Sequence, residues 1–110
     1  MGRYITTTGT AGISVVEVSG THNAQVNQRI LANTSSSAFT ITLPSSSTLL
    51  LNDTIEIIDV ASNASNNNIT IARNGANIQG LAENLTIDVN GAITTLIYVG
   101  STYGWIVGSV

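Results

Sequence analysis

One stretch of the sequence, residues 52–80, constrains the fold more than any other part of the chain. Two of its segments alternate apolar and polar residues with a period of two, which is the period of an extended strand. Ile55 and Ile57 fall on one side of the first segment, and Ile69 and Ile71 fall on one side of the second. We therefore expect two strands, each with one apolar face, that pack against each other.

Turn signals separate this stretch from the strands that follow. Asn74-Gly75 is a strong signal, because both residue types accept the positive φ that tight turns require. Residues 76–80 are predicted to form a third strand after this turn. Residues 85–92 echo residues 69–76, and both segments end in Asn-Gly followed by alanine. The spacing is shorter than that of solenoid or propeller repeats, so we interpret it as a recurring hairpin pattern.

The remaining strand patterns predict the fold class. Phe39, Ile41 and Leu43 alternate strictly and should share a buried face. Residues 93–99 are apolar on both faces, which is typical of a central strand or of a strand covered by a second subunit. About nine short segments of this kind, separated by Gly, Asn and Ser, predict an all-β fold. We expect a single jelly-roll-like β-sandwich of antiparallel strands.

The chain is long enough for one domain, which we place at residues 13–110. Residues 1–12 are rich in Thr and Gly and have too few apolar residues to form a core of their own. They are predicted to form an extended arm that lies on a neighbouring subunit, and the alternative is a frayed terminus. Three consecutive leucines, at positions 49, 50 and 51, are predicted to form a packed corner rather than a partner site.

Composition excludes several functional classes. Charged residues make up 8% of the chain, the formal net charge is −3, and the strong cations are Arg3, Arg29 and Arg73. No basic stripe is available for nucleic-acid phosphates, so direct DNA or RNA binding is not expected. The chain contains no cysteine, which excludes disulfides as its stabilising element. A polar, nearly uncharged surface favours oligomerisation, and the alternative is a monomer that happens to be rich in Asn and Thr.

The sequence carries no segment typical of membrane insertion or secretion. No run reaches the 18 or so apolar residues that a membrane span needs, and the first residues lack the apolar run of a signal peptide. We therefore expect no membrane partner and synthesis in a cytoplasm. Several Asn-x-Ser/Thr triplets match the N-glycosylation pattern, but without a secretion signal they are better explained as turn residues.

Candidate catalytic groups are few. His22 is the single histidine, no Gly-x-Ser-x-Gly motif is present, and zinc needs three or four ligands. We interpret His22 as a histidine in a surface loop. Asp53, Glu56 and Asp59 are close in sequence, but in a strand Glu56 faces away from the other two, which lie at opposite strand ends. Solvated strand ends are their expected role. We expect no enzymatic activity, no cofactor and no metal.

The order of several motifs resembles a known module. From Ile41 to Trp105 the segments ITLP, NDTIEIIDV, NNNITIARNG, ANIQG, LTIDVNGA and TLIYVGSTYGW follow one another. This order resembles a β-sandwich module of structural proteins of tailed bacteriophages, notably those that infect cyanobacteria. In that family the module occurs in tail-fibre tips and in small capsid decoration (cement) proteins, commonly as homotrimers without catalytic residues. The resemblance covers a little over half of the chain.

The resemblance implies a virion structural protein. Fibres carry a long stalk or an attachment domain before the tip, whereas here a twelve-residue arm precedes the sandwich. This favours a cement protein that forms homotrimers on the outer capsid surface and bridges subunits of the major capsid protein. The expected capsid contacts in the arm are Arg3, Tyr4 and Ile5. The expected trimer interface lies on residues 93–99, with Ile93, Leu96, Ile97 and Tyr98 as candidates.

The alternative within the same family is a tail-fibre or other tail component that binds glycans of the host surface. Aromatic rings can stack on a pyranose ring while asparagine amides bind its hydroxyl groups. The candidates for this contact are Tyr103 and Trp105, together with the Asn-rich loop at residues 62–68. Against this role, a tryptophan in the last strand is more often part of the core.

Overall fold

A computed structural model of the protein describes residues 12–109, which form nine β-strands. The predicted arm residues Arg3, Tyr4 and Ile5 lie outside the described residues. A short 3-10 turn, Ser46–Thr48, lies between the fourth and fifth strands. In chain order the strands are β1 Ser14–Val18, β2 His22–Asn23, β3 Gln28–Ala32, β4 Phe39–Thr42, β5 Thr54–Asp59, β6 Ile69–Ala72, β7 Leu85–Ile87, β8 Ile93–Tyr98 and β9 Trp105–Ser109.

The strands form two sheets. The first sheet has the order β1-β3-β5-β8-β9, and the second has the order β2-β4-β6-β7. Up to β6 the chain passes from one sheet to the other with each successive strand, so that it winds in coils around a shared interior. The turns of this winding differ in the number of residues they contain. In the first sheet Val16 pairs with Ile30, and Ile30 pairs with Ile57, so the second turn is the longer one.

This winding makes the sheets mixed, and the expectation of antiparallel strands throughout is wrong. Among the described residues, the pairings β1/β3, β3/β5, β2/β4 and β4/β6 are parallel, and β5/β8, β6/β7 and β8/β9 are antiparallel. A jelly roll is built from antiparallel Greek keys, so it does not describe these pairings. The physical reason is the return of the chain through the opposite sheet, which up to β6 brings each new strand back in the same direction as its neighbour.

One hydrophobic core lies between the two sheets. Side chains with 0% exposure come from both layers, including Ile30, Ile57 and Leu96 from the first sheet and Ile41 and Ile71 from the second. The period-two prediction is confirmed for these segments. Burial of an aliphatic side chain of this size contributes roughly 1.5–3 kcal/mol, so these residues stabilise the contact between the two sheets.

The last turn of the chain depends on one glycine. Gly104 has a φ of +72°, and a Cβ at this position would overlap the backbone carbonyl oxygen of Asn77. That carbonyl accepts a hydrogen bond of 2.8 Å from the backbone N–H of Trp105. The loop around Asn77 is therefore held directly against the start of β9. Residues 76–80, which were predicted to form a strand, are not among the described strands. Within this segment Ile78 forms isolated β-bridges to Leu81 and Trp105.

Candidate functional site

The structure places the single histidine beside a neutral amide. His22 lies in the short strand β2 and is half-buried, so its placement in a surface loop was wrong. Its Nε2 is 3.1 Å from Oε1 of Gln28, a neutral amide rather than a carboxylate. Within residues 12–109 no group of three or more His, Asp or Glu side chains is placed to hold a metal ion. The histidine therefore links β2 to β3, and within residues 12–109 no carboxylate is hydrogen-bonded to it.

Asp59 is the most constrained carboxylate that the structure describes. It ends β5 with only 3% of its surface exposed, which corrects the expectation of a solvated strand end. Its Oδ2 accepts three backbone N–H hydrogen bonds of 3.0 Å, from Asn63, Ala64 and Gly91. The carboxylate thus fixes two loops at once, the one that follows β5 and the one that precedes β8. The sequence shows that Asp59 ends a strand, but it does not show that backbone N–H groups from two loops donate to its carboxylate. The burial of Asp59 could therefore not be predicted from the sequence pattern.

Glu56 lies on the opposite face of β5, as predicted. On the outer surface of the first sheet its Oε1 is 2.6 Å from Nε of Arg29, and its Oε2 accepts a hydrogen bond of 3.2 Å from Oγ1 of Thr95. These three side chains line a shallow depression of about 330 Å³. It holds one acid beside one guanidinium, which neutralise each other, so it offers no pair of carboxylates for glycoside hydrolysis.

Replacement of Glu56 by glutamine is expected to lower the free energy of unfolding by about 0.2–1 kcal/mol, because exposed ion pairs contribute little. The Arg29 and Glu56 side chains are 45% and 25% exposed, so the difference should shrink at about 1 M salt, where screening is strong. Urea unfolding at low and high salt measures it. Glu17→Gln, on the exposed strand β1, is the control. A loss above about 2 kcal/mol would contradict this assignment, since exposed pairs do not reach it.

The two aromatic candidates for glycan contact are not placed together on the surface. Trp105 is fully buried and packs edge to face against Tyr98, with ring centroids 5.6 Å apart. It is therefore a core residue and cannot stack on a sugar in this conformation. Tyr103 is 60% exposed and lies in the turn before β9. A single exposed ring remains of the proposed platform.

The Asn-rich loop is occupied by contacts of its own. The side-chain amides of Asn63 and Asn67 both donate to the backbone carbonyl oxygen of Thr34, at 3.1 and 2.8 Å. The Asn66 amide donates to Oδ1 of Asn63 at 2.9 Å. Asn63 and Asn67 therefore connect the loop after β5 to the loop after β3 and stabilise both loops. Each of these three amides thus uses one of its two N–H donors within the protein.

The candidates for the trimer interface are divided between the two faces of β8. Leu96 and Tyr98 are buried in the protomer, whereas Ile93 is half-buried and Ile97 is 37% exposed. The strand is an interior strand of the first sheet, between β5 and β9, and its outer face, which carries Ile93 and Ile97, is only partly covered. Of the four candidates, Ile97 presents the most surface to a second subunit.

Among the large apolar side chains that the structure describes, the two with the highest exposed fractions lie in the turn before β5. Leu50 and Leu51 are 72% and 71% exposed, while Leu49 packs against the core. The expectation of a packed corner is therefore met only by Leu49. Turn positions usually carry Gly, Pro, Asn, Asp or Ser, so two adjacent leucines there were the signal that the sequence interpretation undervalued.

A second apolar surface lies at the edge formed by β7 and β9. Here a cleft of about 380 Å³ opens between the end strands of the two sheets. Both strands have one side without a neighbouring strand within the described sheets. We refer to this surface as the edge cleft. Its apolar lining comes from Leu85, Ile87, Val89, Ala92 and Val107.

Comparison with known proteins adds no family assignment. The chain matches no protein-family model, and a search of the curated proteins finds no match. The structure, over the residues that it describes, has no helix of the length and apolarity needed to cross a membrane. The features on which a functional proposal can rest are therefore the exposed apolar side chains and the edge cleft described above.

Proposed function

We propose that this chain is a structural protein of a tailed-bacteriophage virion, a capsid decoration (cement) protein that forms homotrimers on the outer capsid surface. The observation that carries the proposal is the exposed apolar surface on an otherwise polar, nearly uncharged β-domain. Leu50, Leu51 and Val89 are each more than 60% exposed, and the edge cleft lies between two strands that are each paired on one side within the described sheets. Such surfaces on a small domain are typical of a chain that is buried against partners.

The mechanism in this proposal is mechanical. A cement protein stabilises a shell by burying interface area on several capsid subunits at once, so that modest contacts add through multivalency. The shell contacts are assigned to Arg3, Tyr4 and Ile5 of the arm, and the partner is the major capsid protein. Because the chain has few charges, its attachment should depend little on ionic strength.

The two-layer β-domain serves as the rigid body in this proposal. Its two sheets share one core, and Asp59 and Gly104 lock the loops at its two ends. We propose that this body is a β-sandwich without jelly-roll topology, because its sheets contain parallel pairs. A rigid body matters because a shell protein must hold its contact surfaces in place while the shell is under load.

The alternative is a trimeric tail component that binds a host-surface glycan. Exposed Tyr103 is the observation in its favour, since an accessible ring is what sugar stacking requires. Burial of Trp105 and the internal hydrogen bonds of Asn63 and Asn67 weigh against it. We therefore place it second.

The proposal predicts a high copy number on the particle. Purified particles of the phage that encodes this chain should contain it at a number comparable to that of the major capsid protein, with density on the outside of the shell. Quantitative gel densitometry and imaging of the intact particle measure the two quantities. A fibre component is the built-in comparison, because it is present in a few tens of copies at most.

A low copy number confined to the tail would overturn the cement assignment and favour the glycan-binding alternative. In that case Tyr103→Ala should weaken adsorption of particles to host cells. Absence of the chain from purified particles would contradict both virion roles.

A further inference from the structure

Two Asn-Gly turns of the chain share the same local sequence. Asn74-Gly75 and Asn90-Gly91 are both followed by alanine, both glycines have positive φ, and both asparagines are exposed. An asparagine followed by glycine is chemically labile in water, because glycine has no side chain to shield its backbone nitrogen from the asparagine amide carbon. The two turns therefore carry the same labile dipeptide, and what differs between them is the structure around it.

The reaction at such a dipeptide is a cyclisation followed by hydrolysis. The glycine amide nitrogen gives its proton to hydroxide and attacks Cγ of the asparagine, so that a new C–N bond forms. The bond from Cγ to Nδ2 breaks, and ammonia leaves. Water then opens the resulting succinimide ring at either of its two carbonyl carbons. The products are an ordinary aspartate and an isoaspartate, in which the main chain runs through the former side chain.

The second turn holds its attacking nitrogen. The N–H of Gly91 donates a hydrogen bond of 3.0 Å to Oδ2 of Asp59, which is 3% exposed. Oδ1 of Asn90 accepts a hydrogen bond of 2.8 Å from the backbone N–H of Ser65. Attack by the Gly91 nitrogen would break a hydrogen bond to a charged group. Loss of its proton would also place a negative nitrogen against a buried carboxylate, and like charges repel. The native structure therefore protects Asn90.

The first turn has the opposite surroundings. Within the part of the chain that the structure describes, the N–H of Gly75 donates to no acceptor. The Nη1 of Arg73 donates a hydrogen bond of 3.1 Å to the carbonyl oxygen of Ala76, so the guanidinium lies across the turn. A positive charge there stabilises the nitrogen anion that makes the attack. Asn74 thus has a free nucleophile beside a cation, whereas Asn90 has a bound nucleophile beside an anion.

The fold requires the labile glycine at this position. Gly75 has a φ of +101°, and a Cβ there would lie 2.7 Å from Oγ of Ser46. The N–H of Ser46 donates to the carbonyl oxygen of Asn74 at 3.3 Å, so the loop after β4 packs against the turn after β6. A larger side chain at residue 75, which would shield the nitrogen, does not fit. The reactive dipeptide is therefore part of the junction between β4 and β6.

We propose that Asn74 is a site of spontaneous deamidation in the folded protein and that Asn90 is protected by Asp59. This inference is independent of the proposed function, because its only reactant is water. The Nδ2 of Asn74 donates a hydrogen bond of 2.9 Å to the carbonyl oxygen of Leu43, the residue that follows β4. Deamidation replaces this donor with a carboxylate oxygen, which repels the carbonyl. The turn after β6 then loses its bond to Leu43, and the chain gains a negative charge.

The test is a time course of the folded full chain at mildly alkaline pH. Peptide mapping by mass spectrometry separates asparagine, aspartate and isoaspartate at each site. Asn74 should deamidate at least about tenfold faster than Asn90, because attack at Asn90 must break a hydrogen bond to a carboxylate. The same chain in concentrated urea is the matched control. Both sites should react there at similar rates, since each is an Asn-Gly-Ala sequence.

Two variants test the charges beside the two nitrogens. Asp59→Asn removes the negative charge at Gly91, so it should raise the rate at Asn90 and leave the rate at Asn74 unchanged. Arg73→Gln should lower the rate at Asn74 about two- to fivefold, which is the size expected for a partly exposed charge. The rate at Asn90 should not change in this variant. Circular dichroism verifies that each variant is folded.

The outcomes that would overturn the inference are distinct. Equal rates at the two sites of the folded chain would show that the hydrogen bond to Asp59 gives no protection. A faster reaction at Asn90 would show that the carboxylate promotes the attack. An Asn74 that stays unmodified in the folded chain would also overturn the inference, as would a difference between the sites that persists in urea. None of these results bears on the virion role, which the copy number on particles tests.

Discussion

Replacement of Asp59 by alanine is expected to lower the free energy of unfolding by about 3–5 kcal/mol. The carboxylate accepts three backbone N–H hydrogen bonds at 3.0 Å, and each hydrogen bond to a charged group contributes about 1.5–3 kcal/mol. Alanine leaves the N–H of Ala64, whose residue is fully buried, without its acceptor. The loops after β5 and before β8 then lose their common anchor. Urea unfolding followed by circular dichroism measures the change.

Two variants show whether the effect belongs to this carboxylate. Asp88→Ala removes an exposed acid and should change stability by no more than about 0.5 kcal/mol. Asp59→Asn keeps one acceptor oxygen but loses the charge, so its loss should lie between those of the other two variants. Equal stability of Asp59→Ala and wild type would show that the three N–H groups find other acceptors, and the assignment of Asp59 as an anchor would fail.

Gly104→Ala is expected to cost about 3–5 kcal/mol. The left-handed backbone conformation at φ +72° alone costs an alanine about 1–2 kcal/mol. The added Cβ also overlaps the carbonyl oxygen of Asn77, and backbone cannot move aside as a flexible side chain can. Relief of the overlap requires displacement of the loop that accepts the Trp105 N–H, which loosens the packing of the buried indole. Thermal and urea unfolding both measure the loss.

Gly20→Ala is the matched control for this substitution. A Cβ at Gly20 meets no atom within 4 Å, and its φ lies outside the left-handed region. Alanine there should be neutral or should stabilise by up to about 1 kcal/mol, through a less flexible unfolded chain. Similar losses at both positions would contradict the overlap, because glycine flexibility would then be the shared cause.

Much of the local structure follows from the sequence. Period-two alternation identified the buried faces of β4, β5 and β6 correctly, since one side of each strand faces a core in any two-layer arrangement. The turn at Asn74 and Gly75 was also predicted, and both residues have positive φ. These features depend on neighbours along the chain, which is why a single sequence reveals them.

The direction of pairing and the surface sites depend on distant residues. Apolar and polar residues alternate in the same way in parallel and antiparallel strands. The alternation therefore does not show whether the chain winds between two sheets or forms an antiparallel meander. Burial of Asp59 is decided by N–H groups of residues 63, 64 and 91, and exposure of Leu50 by a turn bonded to residue 98. The sequence shows the side chains at these positions but not what surrounds them.

The order of strands in the two sheets affects how the chain can fold while it is being synthesised. Within each sheet the spatial order follows the order along the chain, so every new strand adds to the edge of strands already made. A chain leaving the ribosome can therefore pair β1 with β3 and β2 with β4 before β9 exists. Growth of this kind avoids the wait for a C-terminal partner that a Greek key imposes.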